Sequence, residues 1–178
     1  MSAQFTDAER DLVARLQAKD PEAFAWLYDH YAGLLFRIGY SLLRDPSEAE
    51  DLVHDVFLGL PRALATFEGR GSFEGWLKRV ATRTGLMKLR QARSRATQMQ
   101  HWAWTLPGFA RRPDADAALD LESALGELTP ALRAAFVLRE VQGYSYEEVA
   151  DLLGISAGAA RVRVLRARRA LSALLEGY

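Results

Sequence analysis

Apolar residues recur along this chain at spacings of three and four, and no alternating run exceeds a few positions, so helices are expected throughout. Thr6 with Glu9 forms a capping-box pattern ahead of Leu12, Val13 and Leu16, which predicts a short first helix. Asp20-Pro21 then supplies an N-cap and a proline at the first helical position. Behind it Phe24, Leu27, Tyr28, Tyr31, Leu34, Leu35, Ile38 and Leu42 trace one face of a long amphipathic helix. Asp45-Pro46-Ser47 breaks that helix. Ser47 with Glu50 is expected to cap a third, whose apolar face is Leu52, Val53, Val56, Phe57, Leu60 and Leu64, with a kink or end at Pro61. After the Gly69-Arg70-Gly71 loop, Ser72 caps a fourth helix that begins Phe73, Trp76, Leu77, Val80.

Beyond about Arg95 the periodicity fades through Trp102, Trp104, Pro107, Gly108 and Pro113, which predicts a linker over roughly residues 96–115. Leu121, Ala124, Leu125 and Leu128 then suggest a helix ending at Thr129. Pro130 opens another, which Gly143 ends. Ser145 with Glu148 caps a helix through Leu153; Gly154-Ile155-Ser156 is a tight turn; a last helix runs from about Ala157 to Leu175. The expected fold is all-α: two small helical domains, residues 1–95 and 116–178, joined by a flexible linker. A short helix, a glycine turn and a longer arginine-rich helix make the C-terminal domain a helix-turn-helix.

Composition narrows the chemistry. The 178 residues contain no cysteine, which excludes disulfides, thiolate metal sites and cysteine nucleophiles. The first residues carry neither a basic nor an apolar run, and no stretch is apolar enough to insert in a bilayer, so a cytoplasmic location is expected. The 23 basic and 23 acidic residues cancel, but they are segregated. Residues 76–95 hold seven cations and no acid, residues 161–169 hold five arginines and no acid, and Asp45, Glu48, Glu50, Asp51 and Asp55 cluster. Such blocks point to polyanion contact at two places and a basic protein partner at a third, or to plain solvated helix faces.

On the last helix Ala160, Val164, Ala167, Leu171 and Leu174 share the core face, Arg163 flanks it, and Arg161, Arg166, Arg168 and Arg169 point elsewhere. Val162, with Ala159 close by, lies opposite the core stripe. Guanidiniums suit phosphates and guanine edges, and a small apolar side chain suits a thymine methyl. On the fourth helix Arg79, Arg83, Arg90 and Arg93 fall within ~80° of one another, with Trp76 at the edge of the row. Cations beside an aromatic suit opened or single-stranded nucleic acid. Trp76 also fits a core stripe with Leu77 and Val80, and both roles stay open. Asp51 and His54, with Glu50 and Asp55, resemble half of a four-helix metal site. The second half is missing, because His30 and His101 have no acid three residues before them, so no metal or other cofactor is expected.

Taken together, the chain resembles the extracytoplasmic-function group of bacterial RNA polymerase sigma factors. The resemblance lies in Glu22-Ala23-Phe24 with Leu27, Tyr28 and Tyr31, the acidic-aromatic segment 45–58, residues 67–71 with Phe73, Trp76 and Leu77, and, past the linker, 128–133, 143–145, 147–150, 153–156 and 163–168. It implies a specificity subunit with no covalent chemistry of its own. Asp51, His54 and Asp55 would dock on the clamp helices of the polymerase's largest subunit, and the flap would be a further polymerase contact. Trp76, Arg79, Arg83 and Arg90 would engage the melted promoter element. Ser156, Ala159, Arg161, Val162, Arg163 and Arg166 would meet the upstream element. The linker would thread toward the active centre, and an anti-sigma factor or other regulator is an expected partner. Three departures from the family's usual residues stand out: His54 in place of glutamine; Arg83 and Met87 in place of asparagine and an acidic or amide residue; and Ala159-Ala160-Arg161-Val162 in place of Thr-Val-Lys-Ser. The alternatives are a helix-turn-helix regulator acting on duplex DNA without polymerase, a helical metal enzyme, and an interaction protein whose basic faces meet an acidic partner.

Overall fold

The computed structural model describes residues 6–69, 71–100 and 121–176, with side chains at 6–69, 71–94 and 121–175. Every regular element among them is helical: α1 Asp7–Gln17, α2 Pro21–Leu43, α3 Pro46–Leu64, α4 Phe73–Gln100, α5 Leu121–Glu127, α6 Pro130–Phe136, a π-helical turn Val137–Val141, α7 Tyr146–Leu153 and α8 Ala157–Glu176. The chain divides into two compact units, Met1–Met87 and Lys88–Tyr178.

In the first unit the caps expected for α1 and α2 form. Thr6 and Glu9 exchange their hydrogen bonds at the start of α1. Asp20 caps α2 by accepting from the Glu22 N–H at 2.9 Å, and its second oxygen accepts from Arg15 Nε at 2.7 Å. That bond is the main reason the Asp20 carboxyl sits below the usual carboxylate range. The cap of α3 differs from expectation: Asp45, not Ser47, holds the position, accepting from the Glu48 N–H at 3.0 Å, with Pro46 as the first helical residue. Asp45 is extended (φ −133°, ψ 120°) and Pro46 has its φ already set, so the helix starts two residues earlier without strain. Nor does Pro61 end α3, which continues to Leu64. Leu60 and Leu64 are buried on either side of the proline, and their packing holds the last turn despite the missing N–H.

The core of this unit is built from Leu27, Leu35 and Leu42 of α2, Leu52, Val56, Leu60 and Leu64 of α3, and Phe73, Leu77 and Ala81 of α4. The latter three recur every four residues, and Gly85 continues the row. A Cβ built on Gly85 would lie 3.0 Å from Leu42 Cδ1 and 3.1 Å from Leu52 Cδ1, so here the α4 backbone approaches its neighbours closely. Gly85→Val is expected to cost about 2–3 kcal/mol through overpacking. A thermal melt checks this: an unchanged Tm means that the two leucines simply move aside.

In the second unit Ala124, Leu125 and Leu128 pack on Ala167 and Leu171 of α8, flanked by Leu132, Phe136, Ala170 and Leu174. Arg133 is buried, and its Nη1 donates to the Leu128 carbonyl at 3.3 Å, supplying a partner just past the end of α5. The single helix expected from Pro130 to Gly143 is interrupted: α6 gives way at Val137 to a π-helical turn. At the other end of the expected linker, α4 runs to Gln100, five residues beyond the fading of its apolar pattern. The remainder of residues 96–115 expected as linker, with Trp102 and Trp104, lies outside the described residues.

Candidate nucleic-acid interface and docking face

The turn between α7 and α8 forms as its residues require. Ser145 and Glu148 close a capping box at 3.1 and 2.9 Å. Gly154 adopts the left-handed conformation (φ 66°, ψ 42°) that a side chain would strain, and both it and Ile155 donate to the Ala150 carbonyl. Ser156 caps α8 by accepting from the Ala159 N–H at 3.2 Å. On α8 Ala160, Val164, Ala167 and Leu171 are buried, while Arg161 and Arg166 are exposed and Arg163 and Ala159 are half-buried at the flanks. Val162 is 47% exposed among these cations, and Leu165, which the sequence pattern did not single out, matches it at 47%. Arg168 is paired to Glu140 at 2.8 Å, and that hydrogen bond raises its pKa further above the ordinary range.

On α4 the start of the helix is fixed from two sides. Ser72 accepts from the Gly75 N–H at 3.1 Å, and Glu9 of α1 accepts from the Phe73 N–H at 2.8 Å. Burial acts to raise the Glu9 pKa, but the bonds from Thr6 and Phe73 outweigh it and hold the carboxyl below its usual value. Trp76 is thereby held half-buried, its ring centroid 5.0 Å from Phe67 and 5.5 Å from Phe73. Together with Thr66, Phe67, Glu68, Arg79, Val80 and Arg83 it lines a cleft of about 450 Å³. Arg79 and Arg83 are exposed at its edge. Thr66, Phe67 and Glu68 were not legible as site residues, because they follow the end of α3 in sequence and reach Trp76 only by packing. Arg90 is exposed, and its Nη2 donates to the Leu152 carbonyl at 2.8 Å within the second unit.

On α3 Asp51, His54 and Asp55 are exposed on the side opposite Leu52, Val53 and Val56. Leu58, one turn beyond Asp55, is 68% exposed and adds an apolar knob to the acidic face. No group of three or more His, Cys, Asp or Glu suited to a metal ion occurs among the described residues. None of the described helices is long and apolar enough to cross a membrane.

Two helical units, one with an acidic face and an aromatic-cationic cleft, the other a helix-turn-helix with exposed arginines, have the make-up of a nucleic-acid-binding protein. Known proteins sharpen this. Residues 27–95 match the Sigma-70 region 2 model, and residues 118–171 match Sigma-70, region 4. The ECF RNA polymerase sigma factor SigM of Mycobacterium tuberculosis is 30% identical over 96% of this chain and 86% of its own length. The ECF RNA polymerase sigma factor SigE of Mycolicibacterium smegmatis is 34% identical over 82% of this chain, which spans 58% of that relative. Among solved structures, the sigma factor RpoE in complex with the anti-sigma factor NepR, from Bartonella quintana, matches with a TM-score of 0.60 at 28% identity, covering 86% of this chain and 96% of that one. The chain belongs to the ECF RNA polymerase sigma factors, the group through which RNA polymerase begins transcription at chosen promoters.

Proposed function

We propose that the three charged faces divide the work of promoter recognition. Asp51, His54 and Asp55, with Leu58 at their end, dock on the clamp helices of the polymerase's largest subunit. Trp76, Arg79, Arg83 and Arg90 engage the melted element, and Ser156, Ala159, Arg161, Val162, Arg163 and Arg166 meet the upstream duplex. Residues 1–95 and 116–178 act as separate domains across the linker 96–115, which threads toward the active centre. The protein works in the cytoplasm and performs no covalent step: binding energy gained on unstacked bases offsets their unpairing. An anti-sigma factor, the partner of the RpoE relative, covers it when it is idle.

The observation that carries this reading is the cleft beside Trp76. A regulator confined to intact duplex has no use for an aromatic platform flanked by Arg79 and Arg83, whereas a strand-opening factor does. The test is run-off transcription with core polymerase and a genomic fragment library: discrete start sites that require this chain are expected, and their absence overturns the reading. For α8, Arg161→Ala is expected to lower the salt dependence of duplex binding by about 0.9 in log–log slope. An unchanged slope removes Arg161 from the phosphate contacts.

A further inference from the structure

The helix-turn-helix is preceded by one widened turn, and that turn supplies side chains that restrict two of the five arginines between positions 161 and 169. In the π-helical turn the Gln142 N–H reaches back five residues to the Val137 carbonyl, at 2.9 Å. Such a turn carries more than 3.6 residues, so the side chains after it are rotated from where an uninterrupted helix would put them. Val137 and Leu138 are fully buried, which leaves Arg139 and Glu140 directed outward.

Both then reach the helix-turn-helix. Arg139 Nη1 donates to the Tyr144 carbonyl at 2.9 Å, and its Cζ lies 4.6 Å from the centroid of the Tyr146 ring. The Cζ of Arg161, on α8, lies 5.0 Å from the same centroid. Glu140 Oε1 accepts from Arg168 Nη2 at 2.8 Å.

We propose that Tyr146 and Glu140 are positioning residues for α8: Tyr146 holds Arg161 as a pre-aimed duplex contact, and Glu140 withdraws Arg168 from the cations that meet phosphate. This role presupposes the duplex-facing reading of α8 given above. A guanidinium over a ring keeps its N–H edge free for a phosphate or a guanine, and a fixed rotamer has less freedom to lose on binding. Arg139, tied to the Tyr144 carbonyl, occupies part of the same ring and so limits where Arg161 can stack. Arg168 differs from Arg166 in kind, because a carboxylate 2.8 Å away already compensates its charge.

Two measurements on the full chain test this. In solution NMR of the free protein, the side-chain protons of Arg161 are expected to carry a ring-current shift that Tyr146→Leu abolishes and Tyr146→Phe keeps. With a random-sequence DNA duplex titrated across salt, Arg166→Ala lowers the slope by about 0.9 while Arg168→Ala leaves it unchanged. Tyr146→Leu weakens binding about three- to fivefold at constant slope. Tyr146→Phe restores it, and adding Tyr146→Leu to Arg161→Ala costs nothing further. An Arg161 signal indifferent to the ring, independent losses in the double variant, or an Arg168→Ala slope equal to that of Arg166→Ala overturns the assignment. Should the wild-type chain bind no duplex at all, the duplex-facing reading of α8 fails, while the NMR arm still decides whether Tyr146 holds Arg161.

Discussion

Asp51→Arg is expected to abolish association with core RNA polymerase while leaving the melting temperature in place. Asp51 is exposed on α3, six residues into the helix and past the turn where a carboxylate gains from the helix dipole. Its removal therefore changes stability by no more than about 0.5 kcal/mol. The wild-type chain in fact keeps two like charges four residues apart, Asp51 and Asp55, an arrangement that costs an isolated helix a few tenths of a kcal/mol. A face maintained against that cost is suited to a cationic partner. Placing a cation against such a partner costs several kcal/mol, so co-elution with core polymerase should fall by about 100-fold or more. Full association at an unchanged Tm removes the docking role from this face.

Trp76→Ala is expected to show two separable losses. The side chain is half-buried against Phe67 and Phe73, so truncation costs about 2 kcal/mol, below the ~3–5 kcal/mol typical of a wholly buried tryptophan, and lowers Tm by several degrees. The exposed part of the ring lines the cleft with Arg79 and Arg83. Stacking of a base on an aromatic contributes ~1–3 kcal/mol, so open-complex formation, followed by permanganate reactivity well below Tm, should drop about 5- to 150-fold. Trp76→Phe restores most of the stability and part of the opening. Normal opening by the alanine variant at a reduced Tm would make Trp76 a packing residue alone.

Much of the fold was legible because local rules act within four residues. The capping boxes at Thr6–Glu9 and Ser145–Glu148 and the Gly154 turn are set by side chains bonding to their own helix or by a backbone conformation open to glycine. The buried row Ala160, Val164, Ala167, Leu171 and the exposed Val162 follow from helical periodicity alone. The start of α3 was misplaced by two residues because Asp45 and Ser47 are both good caps. Only the proline between them, pre-set for the first helical position, makes Asp45 the better one.

The sequence by itself therefore determined that the chain is helical, where its helices turn, which face of each is apolar, and that acids and arginines occupy different segments. Tertiary structure alone decided which distant side chains share a site. Nothing in the order of residues says that Phe67 and Glu68 close a cleft over Trp76, that Arg139 and Arg161 meet on one tyrosine, or that Glu140 claims Arg168 from 28 positions away. Periodicity records which way a side chain faces on its own helix. What it meets there depends on the packing of other helices and on one π-helical turn whose extra residue leaves no mark in the apolar pattern.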